Sequence, residues 1–238
     1  MFHNTIAGNK ATNGFQMREY YKNLWTNYPH ITCEEKCHKE FILTELKKIP
    51  YKNKILDLGC GRGWLTNELS KYGNVLGVDL FTQEAEMRYP DLNFLEIDFL
   101  NQYEKIPNDF DVIISSEVIE HIPLEKRSLF EKIIFDSLKP NGYCIITTPN
   151  KKRVDQFQVY VPQPEEHQFD IAEILNLFKN FSIIKIKTMY FFPQFILKKE
   201  FLSRIYLLGY SHCRLYKIVD RIFGNTERGI SIGIVLKR

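Results

Sequence analysis

The chain has 238 residues, 44% of them hydrophobic and 26% charged, and a net charge of +3. That length buries a full core and suits one α/β domain with elaborations, in a composition ordinary for a soluble globular protein. The small charge surplus argues against nucleic acid as a partner, and neither a signal-peptide core nor an apolar run near the ~18 residues of a membrane span is present. Five scattered cysteines without a secretion signal point to a reducing, cytoplasmic setting.

In chain order, residues 1–50 read as a leader. Its polar, Asn/Gly-rich start gives way to a short aromatic helix, Met17–Trp25, and then to a helix from Cys33 to Ile49 closed by Pro50. Cys33, Cys37 and His38 make half of a zinc-binding spacing. No second Cys/His pair completes it, and the two cysteines share one helical face, which reads as packing.

Residues 51–188 alternate strand and helix. The strands are Lys54–Leu58, Val75–Asp79, Asn93–Ile97, Phe110–Ser115, Tyr143–Thr148 and Phe181–Thr188. Helices Trp64–Tyr72, Gln83–Arg88, Leu124–Leu138 and Asp170–Phe178 lie between them, with a turn at Lys139–Gly142 and a long loop at Lys151–Gln168. Residues 189–228 form an aromatic, basic insertion of two amphipathic helices, and 229–238 supply a final strand. The insertion reads first as a solvated basic face over a core stripe; covering a small-molecule acceptor, touching a membrane surface or an anionic glycan, and pairing subunits are its other uses, so the chain is expected as a monomer or homodimer. Alternation of this kind predicts a doubly wound, mostly parallel seven-stranded sheet, with ligands at the carboxyl ends of the strands.

The richest stretch is Lys54–Trp64, a strand followed by Gly59-Cys60-Gly61-Arg62-Gly63 and a helix start. Glycines at alternate positions let the backbone take positive φ and approach a ligand, while the helix N–H groups turn to the same place. The spacing differs from the G-x-G-x-x-G of dinucleotide folds. Asp57, two residues ahead, suits a cationic amino group better than a pyrophosphate. Asp79, Asp98 and Glu117 also stand at strand ends, so the fold gathers all four acids into one crevice. A carboxylate at Asp79 is placed to bind both hydroxyls of a ribose.

This pattern resembles the first motif of the class I S-adenosylmethionine (SAM) methyltransferases, a resemblance covering roughly residues 52–188 and the final strand. It implies a Rossmann-like fold and a SAM cofactor. Gly59, Cys60, Gly61 and Gly63 would approach its methionine portion, with Asp57 nearby and Ser116 at the same strand ends. Asp79 and Leu80 would bind the ribose, Asp98 the adenine amino group, and Phe99 would pack on the ring. Tyr20, Tyr21 and Trp25 resemble family leaders that close over the cofactor as a lid.

Ser115–His121, continuing into Ile122-Pro123, is similar to the E-x-x-E-H segment of ubiquinone-pathway and natural-product O-methyltransferases. It implies methylation of a hydroxyl, with His121 as general base and Glu117 orienting the reactants. The acceptor is then a polar small molecule such as a sugar, nucleotide-linked sugar or phenol. Glu117, Glu120 and His121 fall at i, i+3 and i+4 on one helical face, and His167 lies at the lip of the crevice. Small-RNA 2′-O-methyltransferases carry a similar set that holds a divalent metal, for which oxygen ligands with imidazole suit Mg²⁺ or Mn²⁺. Rival expectations are a metal-assisted RNA ribose methyltransferase and a binding protein that keeps the fold without turnover.

Overall fold

The computed structural model describes residues 20–21, 31–154, 166–191 and 229–238. Two compact units divide at Ile31/Thr32. In the first, Tyr20 and Tyr21 are helical and stack edge to face, ring centroids 5.4 Å apart. Trp25 of the expected lid and nearly all of the 189–228 insertion lie outside the described residues.

The second unit is built on a seven-stranded sheet. Helix α1 (Cys33–Leu46) leads into β1 (Lys54–Leu58), α2 (Trp64–Leu69), β2 (Asn74–Asp79), α3 (Gln83–Arg88), β3 (Asn93–Glu96) and β4 (Phe110–Ser116). Helix α4 (Arg127–Ser137), β5 (Leu138–Pro149), α5 (Lys151–Val154), α6 (Ile171–Leu177), β6 (Ser182–Phe191) and β7 (Gly229–Lys237) complete it. Strand order is β3-β2-β1-β4-β5-β7-β6. The first five strands in that order are parallel, and β7 runs antiparallel to both β5 and β6. Among the described residues, no helix is long and apolar enough to cross a membrane.

The strands alternate because both faces are covered. Ile55, Val75, Val112, Ile114, Ile145 and Val235 pack with Phe41, Ile42 and Leu46 of α1 and with Leu65 and Leu69 of α2. Leu56, Leu58, Val78, Ile113, Ile146 and Ile234 point the other way, onto Phe130 and Ile134 of α4 and Ile174 of α6. A one-residue slip would trade these two sets between faces, so burial fixes the register. Helix α1, grouped with the leader on sequence grounds, is thus part of the sheet's own unit. Glu45 near its end binds Lys185 of β6 at 2.6 Å, securing it further.

Two local expectations change. Leu138–Gly142, read as helix end and turn, opens β5 instead. Leu138 pairs with Phe110, the register then shifts, and Asn141 absorbs the irregularity at φ 66°. The stretch Leu124–Lys126 is a 3-10 turn, and α4 begins only at Arg127. Pro123, with extended ψ of 142°, sets that boundary.

Candidate active site

The site is assembled at the carboxyl ends of β1, β2 and β4. Leaving β1, the chain turns on Gly59 (φ 83°) and Gly61 (φ 52°), a conformation that L side chains adopt at a cost. Space matters as much as φ at Gly59, where a Cβ would lie 2.3 Å from Cγ2 of Val118. Gly59 N and Cys60 N both donate to Val78 O, at 2.8 and 3.1 Å, docking the turn on β2. Gly61 N donates to Asp79 Oδ2 at 2.8 Å, and Phe81 N to Asp79 Oδ1 at 3.1 Å. The acid at the end of β2 therefore holds the turn.

Helix α1 is held over the same turn. Its N-terminus is a capping box: Glu35 N donates to Thr32 Oγ1 (3.1 Å) and Thr32 N to Glu35 Oε2 (2.7 Å). The other oxygen of Glu35 accepts from Arg62 Nη2 of the glycine turn at 2.9 Å. This linkage places Glu34 and His38, one helical turn apart, beside the end of β4.

A cavity of about 120 Å³ results, walled by Asp57, Gly59, Cys60, Ser116 and Glu117 from the strand ends and by Glu35 and His38 from α1. Asp57 is buried and accepts from Thr66 Oγ1 at 2.6 Å; burial raises its pKa to about 7, against the Thr66 hydrogen bond. Burial also lifts Asp79 to about 6, opposed by the Gly61 and Phe81 N–H groups. Glu117 is raised by burial too, although Thr147 bonds its side chain. Its backbone is left-handed at φ 58°, an uncommon state for a non-glycine residue and one concentrated at functional sites. Ser116 Oγ lies 2.8 Å from Thr147 Oγ1, fixing the strand end on β5.

The remaining expected residues are spread around this cavity. Asp98, just past β3, accepts from Leu100 N (3.0 Å) and Asn101 Nδ2 (2.6 Å), and Leu80 is exposed. Phe99, expected against a base, is buried, its ring centroid 6.2 Å from that of Phe130. His121 is outside the cavity wall, in the 3-10 turn Ile119–His121, with Nε2 4.0 Å from Glu120 Oε1. Glu120 is buried, accepts from Thr148 Oγ1 at 3.0 Å, and has its pKa raised by burial and then by Glu117. His167 N donates to Glu120 O at 2.7 Å, which brings the two segments together. Its imidazole, however, stacks on Phe169 and lies 3.9 Å from Glu173.

The four expected metal ligands thus do not converge. Among the described residues, one set of three His, Cys, Asp or Glu ligand atoms does, within 4.8 Å of one another: Glu34, His38 and Glu117. Sequence reasoning put His38 with the packing cysteines and passed over Glu34. The available signal was the i, i+4 pairing of a carboxylate with an imidazole on a helix.

Comparison with known proteins agrees with this geometry. A family model described as a methyltransferase domain matches residues 30–185. A ubiquinone biosynthesis O-methyltransferase of Rickettsia typhi is 36% identical over 124 residues, 48% of this chain and 49% of that one. A mitochondrial ubiquinone biosynthesis O-methyltransferase of Rattus norvegicus is 34% identical over 112 residues, 42% of this chain and 32% of that one. The chain spans about half or less of these relatives' length. In fold, it matches a SAM-dependent methyltransferase of Archaeoglobus fulgidus at 17% identity with a TM-score of 0.61, covering 92% of this chain and 100% of that one. It also matches a Burkholderia thailandensis N1-methyltransferase bound to S-adenosylhomocysteine at 13% identity and a TM-score of 0.62, covering 94% and 86%.

Proposed function

Since the chain belongs to the class I SAM-dependent methyltransferase family, we propose that it moves the methyl group of SAM to a hydroxyl of a small polar acceptor. The observation that carries this reading is one cavity at the ends of parallel strands, lined by Asp57, Gly59, Cys60 and Glu117, with Asp79 holding the glycine turn that borders it. SAM supplies an activated methyl on a sulfonium, and the rest falls to the chain's residues.

On this reading Asp79 accepts from the ribose hydroxyls and Asp98 receives the adenine amino group. Gly59 and Gly61 leave room for the methionine portion, and Asp57 lends its negative charge to the ammonium. The acceptor then enters at the Ser116–Glu117 end of the cavity. The enzyme's principal contribution is alignment of the hydroxyl with the methyl carbon and exclusion of water. The hydroxyl proton is assigned to His121, and Glu120, 4.0 Å away, stabilises the imidazolium that forms. Buried cysteines outside any disulfide, Cys60 and Cys144, support a reducing, cytosolic setting. The expected lid at Tyr20, Tyr21 and Trp25 belongs to the same proposal.

The test is transfer of isotope-labelled methyl from SAM to a panel of sugars, nucleotide-linked sugars and phenols, with S-adenosylhomocysteine binding measured calorimetrically beside it. Labelled ether products support the reading. Failure to bind S-adenosylhomocysteine overturns it.

A further inference from the structure

We propose that Glu34, His38 and Glu117 form a divalent-cation site in the wall of the cleft, with coordination positions left open toward the acceptor. This inference rests on the methyltransferase reading for the identity of the acceptor, but not for the cation itself. Glu34 and His38 project from adjacent turns of α1, and Glu117 arrives from the end of β4. His38 Nε2 stands 3.6 Å from Glu117 Oε1 and 4.0 Å from Glu34 Oε1.

Neither separation is a hydrogen bond, and a single N–H could serve only one of the two carboxylates. Two carboxylates brought to one imidazole edge need a proton, the imidazolium or a bound cation among them, and the cation alone serves all three groups at once. A cation about 2.1 Å from each of three donors spaces them roughly 3.0–3.6 Å apart, so small side-chain rotations bring this trio onto it. A second observation points the same way. Glu117 Oε1 is shielded from solvent and accepts no hydrogen bond from any described residue, although Thr147 bonds the same carboxyl. Buried acceptors in native structures are nearly always paired, and a bound ion is one of the standard explanations for an exception. Ser231 Oγ donates to Glu34 Oε1 at 3.0 Å, the kind of outer contact that orients a ligating carboxylate.

Two carboxylates with one imidazole favour Mn²⁺ or a similar hard-to-borderline ion over a structural zinc. With three protein ligands, such an ion keeps positions for water or for acceptor oxygens. A hydroxyl bound there loses its proton more readily, because the cation stabilises the oxyanion. The site differs from the Glu117, Glu120, His121 and His167 set in two of its three ligands, both of which come from α1.

The experiment is titration of the chelator-treated full chain with Mn²⁺ alone, followed by electron paramagnetic resonance and calorimetry, with S-adenosylhomocysteine affinity measured on every variant. One saturable Mn²⁺ is expected. His38→Gln and Glu34→Gln should each weaken it by at least the ~10–100-fold that loss of even an outer contact produces. Glu120→Gln and His121→Gln should leave it unchanged. Glu34 is partly exposed, so its variant keeps the test sound if His38→Gln folds poorly, which circular dichroism detects. Absence of saturable Mn²⁺ binding overturns the inference, as does loss of binding in the Glu120 and His121 variants with retention in those of Glu34 and His38. In both cases intact S-adenosylhomocysteine binding leaves the methyltransferase reading standing.

Discussion

Gly61 N donates to Asp79 Oδ2 across 2.8 Å, joining the middle of the glycine turn to the end of the neighbouring strand. One carboxylate therefore shapes the loop and, on the proposed reading, also meets the ribose. Replacing it removes both functions together.

Asp79→Ala should weaken S-adenosylhomocysteine binding by at least about 1.5–3 kcal/mol, the value of one hydrogen bond between a ribose hydroxyl and a charged group. Titration calorimetry measures this directly. Affinity equal to that of the parent chain would remove Asp79 from the ribose.

The buried acids also make a prediction about pH. Asp57 and Asp79 hold their protons to about 7 and 6 in the folded chain, whereas an unfolded aspartate releases its proton near about 3.9. Between those values the folded state binds more protons than the unfolded state, so these two groups make the ligand-free chain less stable as pH rises. The stability of Asp79→Asn relative to the parent should therefore increase from pH ~4 to pH ~6 and level off above that. Thermal unfolding across that range checks the sign; a relative stability that falls with pH contradicts the assignment. A ligand ammonium favours the ionised acids, so S-adenosylhomocysteine binding near pH ~6 should release protons, measurable as a dependence of binding heat on buffer ionisation.

Gly59→Ala brings two separate penalties. A Cβ there meets Cγ2 of Val118 at 2.3 Å, and the residue must keep φ near 83°. Val118→Ala in the same chain relieves the contact but not the backbone, for which a left-handed L-residue costs about 1–2 kcal/mol. Denaturant unfolding of the single and double variants should show partial rescue. Full rescue would mean that the backbone conformation carries no cost.

His121→Ala should lower turnover by about 10²–10⁴-fold, the usual contribution of a general base, with S-adenosylhomocysteine affinity retained. Glu120→Gln should lower it less and move the pH profile, because that residue acts through the imidazolium. Near-normal turnover of His121→Ala excludes it as the base.

How much of this was legible depended on whether a signal was local. The turn Gly59–Gly63 and the acids at Asp57, Asp79 and Glu117 announce themselves because each follows a short apolar run, and parallel strands bring such ends together. The antiparallel placement of β7 between β5 and β6 is a long-range pairing with no local mark. Phe99 is placed against the adenine only by the family resemblance, and no periodicity reports its contact with Phe130. His38 and Glu117 belong to segments far apart in sequence, joined by the packing of α1 on the sheet and by the Arg62–Glu35 bond that holds it over the glycine turn. His38 next to Cys37 therefore looked like packing, and for Cys37 that was right, since it is buried in the core.

The position of β7 has a consequence for the order of assembly. Strands β1 to β5 pair with one another in a block complete by residue 150, so this parallel block can condense while synthesis continues, with one edge of β5 left waiting for β7. Strand β6 has no such opportunity, because its described ladder runs entirely to β7, which is synthesised after it. Until residues 229–237 emerge, β5 and β6 both present unpaired edges, the condition under which chains pair with one another instead. The closing step joins segments distant in sequence and is expected to be the slow one. A nascent chain stalled before residue 229 should thus be held by chaperones, and one stalled well beyond residue 237 should not.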